Sequence, residues 1–335
     1  MRPKAPEARY RNLEPGFTPK TLADVARWRW ESWQSGVRKG PTADTPRVRP
    51  DLGFLHANAL AGAGMVPCVT WLGHSSTLLQ VGGKCILLDP VLSSRVGPGG
   101  RIGVKRLVPA ALHVSQLPRI DAVVISHDHY DHLDKRTLRG LADQAGGPPL
   151  AIVPLGLRRH VEPQGLPVRE LDWWESADLE GLEVLLTPAQ HWSGRGLHDR
   201  LRTLWAGVAL LSRDANVFYP GDTAYAGFFR EIGRRLAACG GVDLALLPIG
   251  AYAPRWFMAP QHIDPAEAVQ IHQDVEAQRS LGIHWGTLQL SDEPLDEPPR
   301  LLAEAVAAAG LPAEAFTTCA IGATVRLTLR HPIST

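Results

Sequence analysis

The sequence predicts an α/β protein in which two packed β-sheets lie between outer layers of helices, a four-layer αββα sandwich. Two β-rich blocks, which begin near Cys68 and Leu182, support this prediction because each holds several short apolar runs and each is accompanied by helical segments. His and Asp residues directly follow several of these runs. The chemistry of the protein is therefore expected at strand ends.

An N-terminal extension is expected at residues 1–67, ahead of one domain at 68–335. Within it, residues 21 to about 37 predict an amphipathic helix with Thr21 near its N-cap and one side formed by Leu22, Val25, Trp28 and Trp33. Its tryptophan and arginine residues fit either a helix that lies in a membrane interface or a helix docked on its own domain. Residues 40–67 contain several prolines and glycines and predict a connector.

The domain is predicted to open with three strands at 68–73, 76–81 and 84–89, followed by a loop rich in glycine and basic residues at 95–106. Further strands are predicted from Val123 onward and at 150–153, 182–188, 205–211, 216–220, 243–249, 280–284 and 322–330. Helices are predicted at 134–144, 155–162, 226–238, 265–278 and 299–309. The helix at 265 has the clearest start, with Asp264 as N-cap, Pro265 at the first position and Glu267 at the third.

The strand from Val123 runs directly into His127-Asp128-His129-Tyr130-Asp131-His132. Imidazole nitrogens and a carboxylate at this density are a ligand set for zinc or a similar divalent metal. Because alternate residues of an extended segment face the same way, His127 and His129 are expected to face one point and Asp131 and His132 a second. One segment could thus serve two metals. The competing interpretations are a histidine-rich surface loop and core histidines that cap the strand with their hydrogen bonds satisfied.

Three distant residues complete the predicted ligand set, since each follows an apolar run: His191, Asp222 and His284. One metal is expected to be held by His127, His129 and His191, and the other by Asp131, His132 and His284. Asp222 is expected to bridge the two through its carboxylate oxygens. His74, in a Gly-His-Ser turn, fits either a ligand-side role or a plain turn residue, and Asp89 fits a residue that orients a ligand.

The order H-x-H-x-D-H, a later lone His, Gly-Asp and a late strand-end His resembles the metallo-β-lactamase superfamily over residues 68–330. A narrower resemblance, to the N-acylphosphatidylethanolamine-hydrolysing phospholipase D branch and its bacterial relatives, lies in residues 71–76, 127–134, 191–193, 248–252, 254–258, 261–265 and 284–287. The resemblance implies a metallo-β-lactamase four-layer αββα sandwich at 68–335. It also implies two zinc ions, with iron and manganese left open, and a homodimer.

The implied reaction is hydrolysis of a phosphodiester in N-acylphosphatidylethanolamine-like phospholipids through a metal-bridging hydroxide. Asp131, His262 and Gln261 are expected to be catalytic, with His262 donating a hydrogen bond or proton at the phosphate or leaving group; the alternative is that His262 only supports the following helix. The residues expected to bind substrate are Trp192, Tyr252, Arg255, Trp256 and Phe257. Tyr225, Phe228, Phe229 and Met258 would extend this apolar wall, or else belong to the core, and Arg255 would meet a phosphate or pair with a surface carboxylate.

The composition of the chain limits its expected partners and cellular location. A formal net charge of +1 gives no overall field that would attract nucleic acid. The four widely spaced cysteines and the absence of an apolar N-terminal run favour the cytoplasm, with association at a membrane surface as the only expected membrane role. Two other functions stay open: a hydrolase of the same fold for a soluble sugar-phosphate lactone or cyclic phosphodiester, and a metal-dependent binding module.

Overall fold

The computed structural model describes residues 9–36, 45–196, 198–328 and 330 of the chain. The helices are α1 Leu22–Gln34, α2 Leu52–Ala59, α3 Lys135–Ala142, α4 Arg158–Val161, α5 Phe229–Ala238, α6 Arg255–Met258, α7 Pro265–Asp274 and α8 Pro298–Ala308. The strands are β1 Cys68–Gly73, β2 Ser76–Val81, β3 Lys84–Leu88, β4 Arg95–Val96, β5 Val104–Lys105, β6 Ala122–Val124, β7 Leu150–Pro154, β8 Val168–Leu171, β9 Ser176–Asp178, β10 Leu182–Thr187, β11 Gly207–Ser212, β12 Val217–Tyr219, β13 Val242–Pro248, β14 Ala277–Ile283, β15 Phe316–Thr317 and β16 Thr324–Arg326.

The described strands form two seven-stranded sheets and one short hairpin, β4-β5. The first sheet has the order β16-β1-β2-β3-β6-β7-β8, and the second has the order β15-β14-β13-β12-β11-β10-β9. Each sheet is antiparallel on one side and parallel on the other, with β3, β6, β7 and β8 parallel in the first and β12, β13, β14 and β15 parallel in the second. The parallel strands end on the same side of their sheet and carry the candidate site.

Neighbouring side chains of a strand point to opposite faces of the sheet, and in these strands both sets are apolar, so both faces are covered by other parts of the protein. In β6, Val124 belongs to the core between the sheets, while its neighbour Val123 belongs to a second core beneath α2, α3 and α4. Ile86 and Leu87 of β3 divide in the same way. On the outer face of the second sheet, α5, α7 and α8 bury their apolar sides against the strands. This confirms the predicted four-layer αββα sandwich.

The N-terminal helix begins where the sequence predicted. Thr21 caps it in a reciprocal capping box with Asp24. The predicted packing side is only partly correct, because Leu22 is 90 % exposed and Trp33 is 72 % exposed. Trp28, which belongs to that side, does make contact with the domain, and its ring stacks on Phe257 at 4.8 Å. The predicted end of the helix near Val37 lies outside the described residues.

Several other expectations are corrected. The predicted connector at 40–67 contains α2, and its first residues, 40–44, lie outside the described part of the chain. The helix predicted at 155–162 is reduced to the single turn of α4, followed by a short 3₁₀ turn. β8 and β9 were not predicted, because these partly exposed strands carry charged residues and lack a continuous apolar run. Of the described helices, none is long and apolar enough to cross a membrane.

Candidate metal centre

Four strands of the two sheets end at one point. The segment after β6 supplies the histidines and aspartate at 127–132, and His191, Asp222 and His284 follow β10, β12 and β14. Parallel strands place their carboxyl ends on one edge of a sheet, and β10 ends on the same edge as β12 because both pair antiparallel with β11. The packing of the two sheets brings these edges together. The structure thus gathers all seven predicted ligands in one site.

Three histidines form the first cluster. Nε2 of His127 lies 2.8 Å from Nδ1 of His129, and Nε2 of His191 lies 3.2 Å from the same Nδ1 atom. Two nitrogens that share a tetrahedral zinc ion at about 2.1 Å would lie about 3.4 Å apart. The three nitrogens therefore converge at the spacing of one metal ion.

The second cluster contains Asp131, His132, His284 and His74. Oδ2 of Asp131 lies 3.5 Å from Nε2 of His132 and 3.8 Å from Nε2 of His284. Nε2 of His74 lies 3.1 Å from this oxygen, and the His74 ring lies 4.0 Å from the His284 ring. His74 is thus part of the cluster and not a plain turn residue. The signals in the sequence were its Gly-His-Ser turn and its place in the motif at 71–76.

Asp222 lies between the two clusters. Its Oδ2 atom is 3.1 Å from Nε2 of His132 and 3.9 Å from Nε2 of His191, while Oδ1 is 3.2 Å from Nε2 of His284. Each carboxylate oxygen therefore faces ring nitrogens, and the residue contacts both groups of histidines. Asp222 therefore lies between the two groups of histidines.

The donor set fits divalent metal ions. Three buried polar atoms that face the centre have no hydrogen-bond partner among the described residues: His132 Nε2, Asp222 Oδ1 and His284 Nε2. Burying such atoms unpaired is unfavourable, so the site is suited to a group that would bind them. Burial lowers the pKa of His129 to about 4 and that of His191 to about 3, which keeps both imidazoles in the neutral form that binds metals.

Charge in the site is balanced between Asp222 and His132. Burial opposes ionisation of Asp222, but the adjacent His132 and His284 outweigh it and hold the pKa of Asp222 well below its usual range. Burial likewise lowers the pKa of His132, but Asp222, Asp131 and Asp89 outweigh it, so that this pKa is raised. The site thus holds ionised carboxylates in the protein interior, where a bound cation would be stabilised.

Hydrogen bonds fix the outer nitrogens of two of these histidine rings. Nδ1 of His132 lies 2.6 Å from Asp89 Oδ2, as expected of a residue that orients a ligand. Asp89 also accepts hydrogen bonds from the Ser126 amide and from the Tyr219 hydroxyl, at 2.7 and 2.6 Å. Nδ1 of His191 donates to the carbonyl oxygen of Gln261 at 2.8 Å. His132 and His191 therefore each present the other ring nitrogen to the centre.

The predicted catalytic pair has two different environments. The His262 ring is half-buried, and its Nδ1 atom lies 3.8 Å from Oδ2 of Asp222. The Gln261 side chain instead points to Met258 Sδ, and its backbone carbonyl holds His191. His262 therefore lies beside the two clusters, whereas Gln261 contacts the site through its backbone.

The predicted substrate-binding residues only partly border the centre. The Trp192 ring lies 4.2 Å from the His129 ring. The Tyr252 hydroxyl donates to Glu297, and Arg255 forms an ion pair with Glu267 at 2.8 Å and donates to the His262 carbonyl. Arg255 thus pairs with a carboxylate, as the alternative interpretation held, and fixes the backbone of His262.

The other aromatic residues of the predicted apolar wall pack against neighbouring side chains of the protein. Trp256 receives the Arg27 guanidinium over its ring at 4.4 Å, and Phe257 stacks on Trp28. Phe229 is fully buried in the core, and Tyr225 and Phe228 pack against the same core. The expectation of an apolar wall is therefore corrected for Phe229, because α5 turns this ring toward the second sheet.

The N-terminal segment contributes contacts that no sequence pattern indicated. Oδ1 of Asn12 accepts hydrogen bonds from the His191 amide and the Trp205 indole, both at 3.0 Å, and its Nδ2 donates to the His191 carbonyl at 2.8 Å. The Glu14 carbonyl accepts a hydrogen bond from Gln190. These residues lie about 180 positions before their partners, and a single Asn in an irregular segment gives no periodic signal.

A second set of unpredicted hydrogen bonds lies behind the first cluster. The buried Asp128 carboxylate accepts hydrogen bonds from the Gly194 amide at 2.7 Å and the Thr203 hydroxyl at 2.9 Å. The Arg195 guanidinium donates to the carbonyls of Asp128 and Leu133. The loop that follows His191 is thereby tied to the segment at 127–133.

A family model described as the β-lactamase superfamily domain matches residues 84–285, which is more than half of the chain. The chain therefore belongs to the metallo-β-lactamase superfamily and is a metal-dependent hydrolase of that fold. Within the superfamily it resembles the N-acylphosphatidylethanolamine-hydrolysing phospholipases D. It is 38 % identical over 250 residues to phospholipase D 1 of this type from Caenorhabditis elegans, a match that covers 70 % of this chain and 69 % of the relative.

Two further relatives extend this comparison. The mitochondrial enzyme of the same name from Saccharomyces cerevisiae is 38 % identical over 241 residues, and the match covers 70 % of this chain but 50 % of the yeast protein. An uncharacterised protein of Mycobacterium tuberculosis (strain H37Rv) is 41 % identical over 283 residues, covering 82 % of this chain and 72 % of that protein.

Solved structures share the fold. A metallo hydrolase from Ignicoccus hospitalis has a TM-score of 0.58 at 21 % identity and covers 78 % of this chain and 98 % of its own. An isothiocyanate hydrolase from Delia radicum gut bacteria has a TM-score of 0.61 at 20 % identity, with 77 % and 98 % covered. At these identities the likeness concerns the fold alone.

Proposed function

We propose that the chain is a dinuclear zinc phosphodiesterase of the phospholipase D type, acting on N-acylphosphatidylethanolamine-like phospholipids. The observation that carries this proposal is the pair of buried clusters joined by Asp222, whose oxygens face ring nitrogens of both. The likeness to the nematode and yeast phospholipases supports the choice of substrate.

In this proposal His127, His129 and His191 hold one ion, Asp131, His132 and His284 hold the second, and Asp222 contacts both. When bound there, two zinc ions would lower the pKa of a shared water toward neutrality and neutralise charge on phosphate oxygens. The residues Asp89, Ser126 and Gln261 keep the histidine rings in place through their outer nitrogens. His74 holds Asp131 at 3.1 Å.

His262 is the residue proposed to contact the reacting phosphodiester. Its ring lies 5.2 Å from the His191 ring and 6.0 Å from the His284 ring, so it borders both clusters. Burial lowers the pKa of His262 to about 3, so the neutral imidazole is proposed to donate a hydrogen bond to a phosphate oxygen, while Arg255 fixes its backbone carbonyl. Asp131 is proposed to serve the reaction as a ligand of the second ion.

A surface role in lipid binding is proposed for α1. Trp28 fixes this helix to the domain, while Trp30 and Trp33 are 58 % and 72 % exposed and lie 5.2 Å apart. Exposed tryptophans are suited to the interface of a bilayer, where the ring is apolar and its N–H group meets water. The proposed contact is peripheral.

A hydrolase for a soluble substrate is the second candidate. It is favoured by one observation: Tyr252, Trp256 and Phe257, which were expected to line an acyl-chain wall, make packing contacts with Glu297, Arg27 and Trp28. A sugar-phosphate lactone or cyclic phosphodiester would not need such a wall.

An assay on two substrates separates the candidates. Zinc-loaded protein is mixed with N-acylphosphatidylethanolamine vesicles and, separately, with a water-soluble bis-aryl phosphodiester; Asp131→Asn serves as the blank. The expected result is release of phosphatidic acid by the wild type and none by the variant. Turnover of the soluble ester alone would favour the second candidate, and turnover of neither would contradict both phosphodiesterase assignments.

A further inference from the structure

A cavity of about 690 Å³ lies between residues 92–94, the segment at 105–114 and α3. Its polar lining consists of cationic side chains, an imidazole and hydroxyl groups, namely Lys105, Arg106, Arg136, His113, Ser93 and Thr137, with Ser94 beside them. No Asp or Glu is among the described residues that line it, and neither is any of the seven candidate metal ligands. The cavity is therefore a positively charged pocket that is distinct from the metal centre.

Arg106 lines this pocket as a buried cation that forms no ion pair with any described residue. The residue is 5 % exposed, and its Nε and Nη1 atoms have no hydrogen-bond partner among the described residues. Only Nη2 is paired, and it donates to the carbonyl oxygen of Val91. An isolated buried charge is costly unless an opposite charge lies nearby. An anion in the adjoining cavity would supply that charge.

Asp134 is the acidic residue whose charge acts on Arg106, but its carboxylate already accepts three hydrogen bonds from other groups. Oδ2 accepts hydrogen bonds from the Ser93 amide at 3.1 Å and the Thr137 hydroxyl at 2.6 Å, and Oδ1 accepts from the Arg136 amide at 3.0 Å. Asp134 thus caps α3. Burial lowers the pKa of Arg106 to about 10, and the charge of Asp134 only partly offsets this effect.

The sequence around the pocket is locally basic. Residues 90–120 contain five lysines and arginines, at 95, 101, 105, 106 and 119, and not one Asp or Glu. The formal charge of the whole chain is only +1, so this concentration is a local feature. Lys105 and Arg136 are exposed at the mouth, and among the described residues neither forms an ion pair. Both are free to bind an anion that enters.

We infer that this pocket binds a phosphate-type anion, with Lys105 and Arg136 contacting it and Arg106 providing uncompensated positive charge at its base. Cationic side chains form strong, charge-assisted hydrogen bonds with phosphate oxygens. The anion could be free phosphate, a soluble phosphate ester or the headgroup of an anionic phospholipid. The inference does not depend on the proposed phosphodiesterase activity.

Calorimetric titration of the metal-loaded full chain with inorganic phosphate tests the inference. The double variant Lys105→Ala/Arg136→Ala is compared with the control Arg49→Ala/Arg213→Ala, which removes the same charge from exposed sites outside the pocket. Phosphate that binds at the metal centre contributes equally to all three proteins. We expect at least about a tenfold weaker phosphate Kd at the pocket in the first variant, because two charged contacts are lost, and no change in the control.

Vesicle sedimentation separates the sources of the anion. Phosphatidylcholine vesicles with and without phosphatidic acid are sedimented with each protein. Loss of phosphatidic-acid-dependent binding in the pocket variant alone identifies a lipid headgroup, whereas loss of phosphate affinity with unchanged vesicle binding identifies a soluble ligand. Both outcomes support an anion site.

Arg106→Gln tests the buried cation. This variant removes an unpaired charge, so it is expected to fold and to lose most of the phosphate-induced rise in Tm that the wild type shows. Equal phosphate affinity and equal vesicle binding in the wild type and the pocket variant would overturn the inference, and would leave Arg106 to be hydrated by buried water.

Discussion

Asp89 is the residue that connects the strands of the first sheet to the metal centre. It follows β3, and its carboxylate accepts hydrogen bonds from Ser126, Tyr219 and His132. Its backbone has φ of 39°, which is rare outside glycine and asparagine. These contacts fix the orientation of His132, so a change at Asp89 acts on the metal through another side chain.

Asp89→Asn is expected to weaken metal binding by about 10- to 100-fold, the effect typical of groups that orient a ligand. The amide keeps the shape but removes the charge that faces His132. Metal content after dialysis against graded chelator measures the effect. Tyr219→Phe, which removes one neutral partner of the same carboxylate, should have a smaller effect; an Asp89→Asn protein with wild-type affinity would contradict the role given to Asp89.

Gly221 permits the turn that places Asp222. Its φ is +67°, and a Cβ there would lie 2.8 Å from the Ala206 carbonyl oxygen and 3.0 Å from Ser126 Cβ. Gly221→Ala is therefore expected to destabilise the protein by about 1–3 kcal/mol and to lower its metal content. Chemical denaturation and metal analysis would measure both.

Gly147→Ala is the matched control for this prediction. Gly147 has φ of +93° with no atom within 4 Å of an added Cβ, so it retains the backbone strain without the close approach. Equal losses in the two variants would show that backbone strain alone, and not crowding beside Asp222, determines the effect.

At the scale of single elements, α1 has two sides with different roles. Trp28 packs on Phe257, while Trp30 and Trp33 are exposed. If the proposed surface contact is correct, Trp30→Ala/Trp33→Ala should reduce vesicle binding by about tenfold or more and leave hydrolysis of a soluble ester unchanged. Leu60→Ala, at an apolar residue that is 88 % exposed beyond α2, is the control. Unchanged vesicle binding in the double variant would refute the contact.

The irregular segment at residues 9–20 holds the backbone of His191 in place through hydrogen bonds. Asn12 alone forms hydrogen bonds with both backbone groups of His191 and with Trp205. Asn12→Ala should therefore cost about 1–3 kcal/mol of stability, because buried polar partners are left unpaired. It should also loosen the first cluster. Thermal unfolding with and without zinc would show the two effects separately, and an unchanged Tm in both conditions would contradict this role of Asn12.

For the whole molecule, metal ions should stabilise the fold. The clusters bury unpaired donor atoms in the space where the two sheets meet. An ion present at 1,000 times its Kd would stabilise the native state by about 4 kcal/mol, which corresponds to a rise in Tm of several degrees. Adding a chelator should lower Tm accordingly and restoring zinc should reverse the change. A Tm that does not respond to chelator would contradict a site that binds metal in the native state.

The sequence predicted those parts of the structure that carry a local signal. His127, His129, Asp131 and His132 stand in one run, and each of the three distant ligands follows an apolar strand, so their assembly could be expected. The exposure of Leu22 and Trp33 and the contacts of Asn12 could not be expected, because they depend on distant parts of the chain. For Phe229 the sequence allowed either an apolar wall or the core, and tertiary packing places it in the core.

The candidate ligands also set an order of events during synthesis. The cluster at 127–132 leaves the ribosome long before Asp222 and His284, which come from the second sheet. A nascent chain of 200 residues holds His127, His129 and His191 but lacks Asp222, the proposed bridging residue. In the proposed centre, both ions can therefore be held only after the second half of the chain has folded onto the first. Metal that stays bound to the protein would then show that the two halves have packed together.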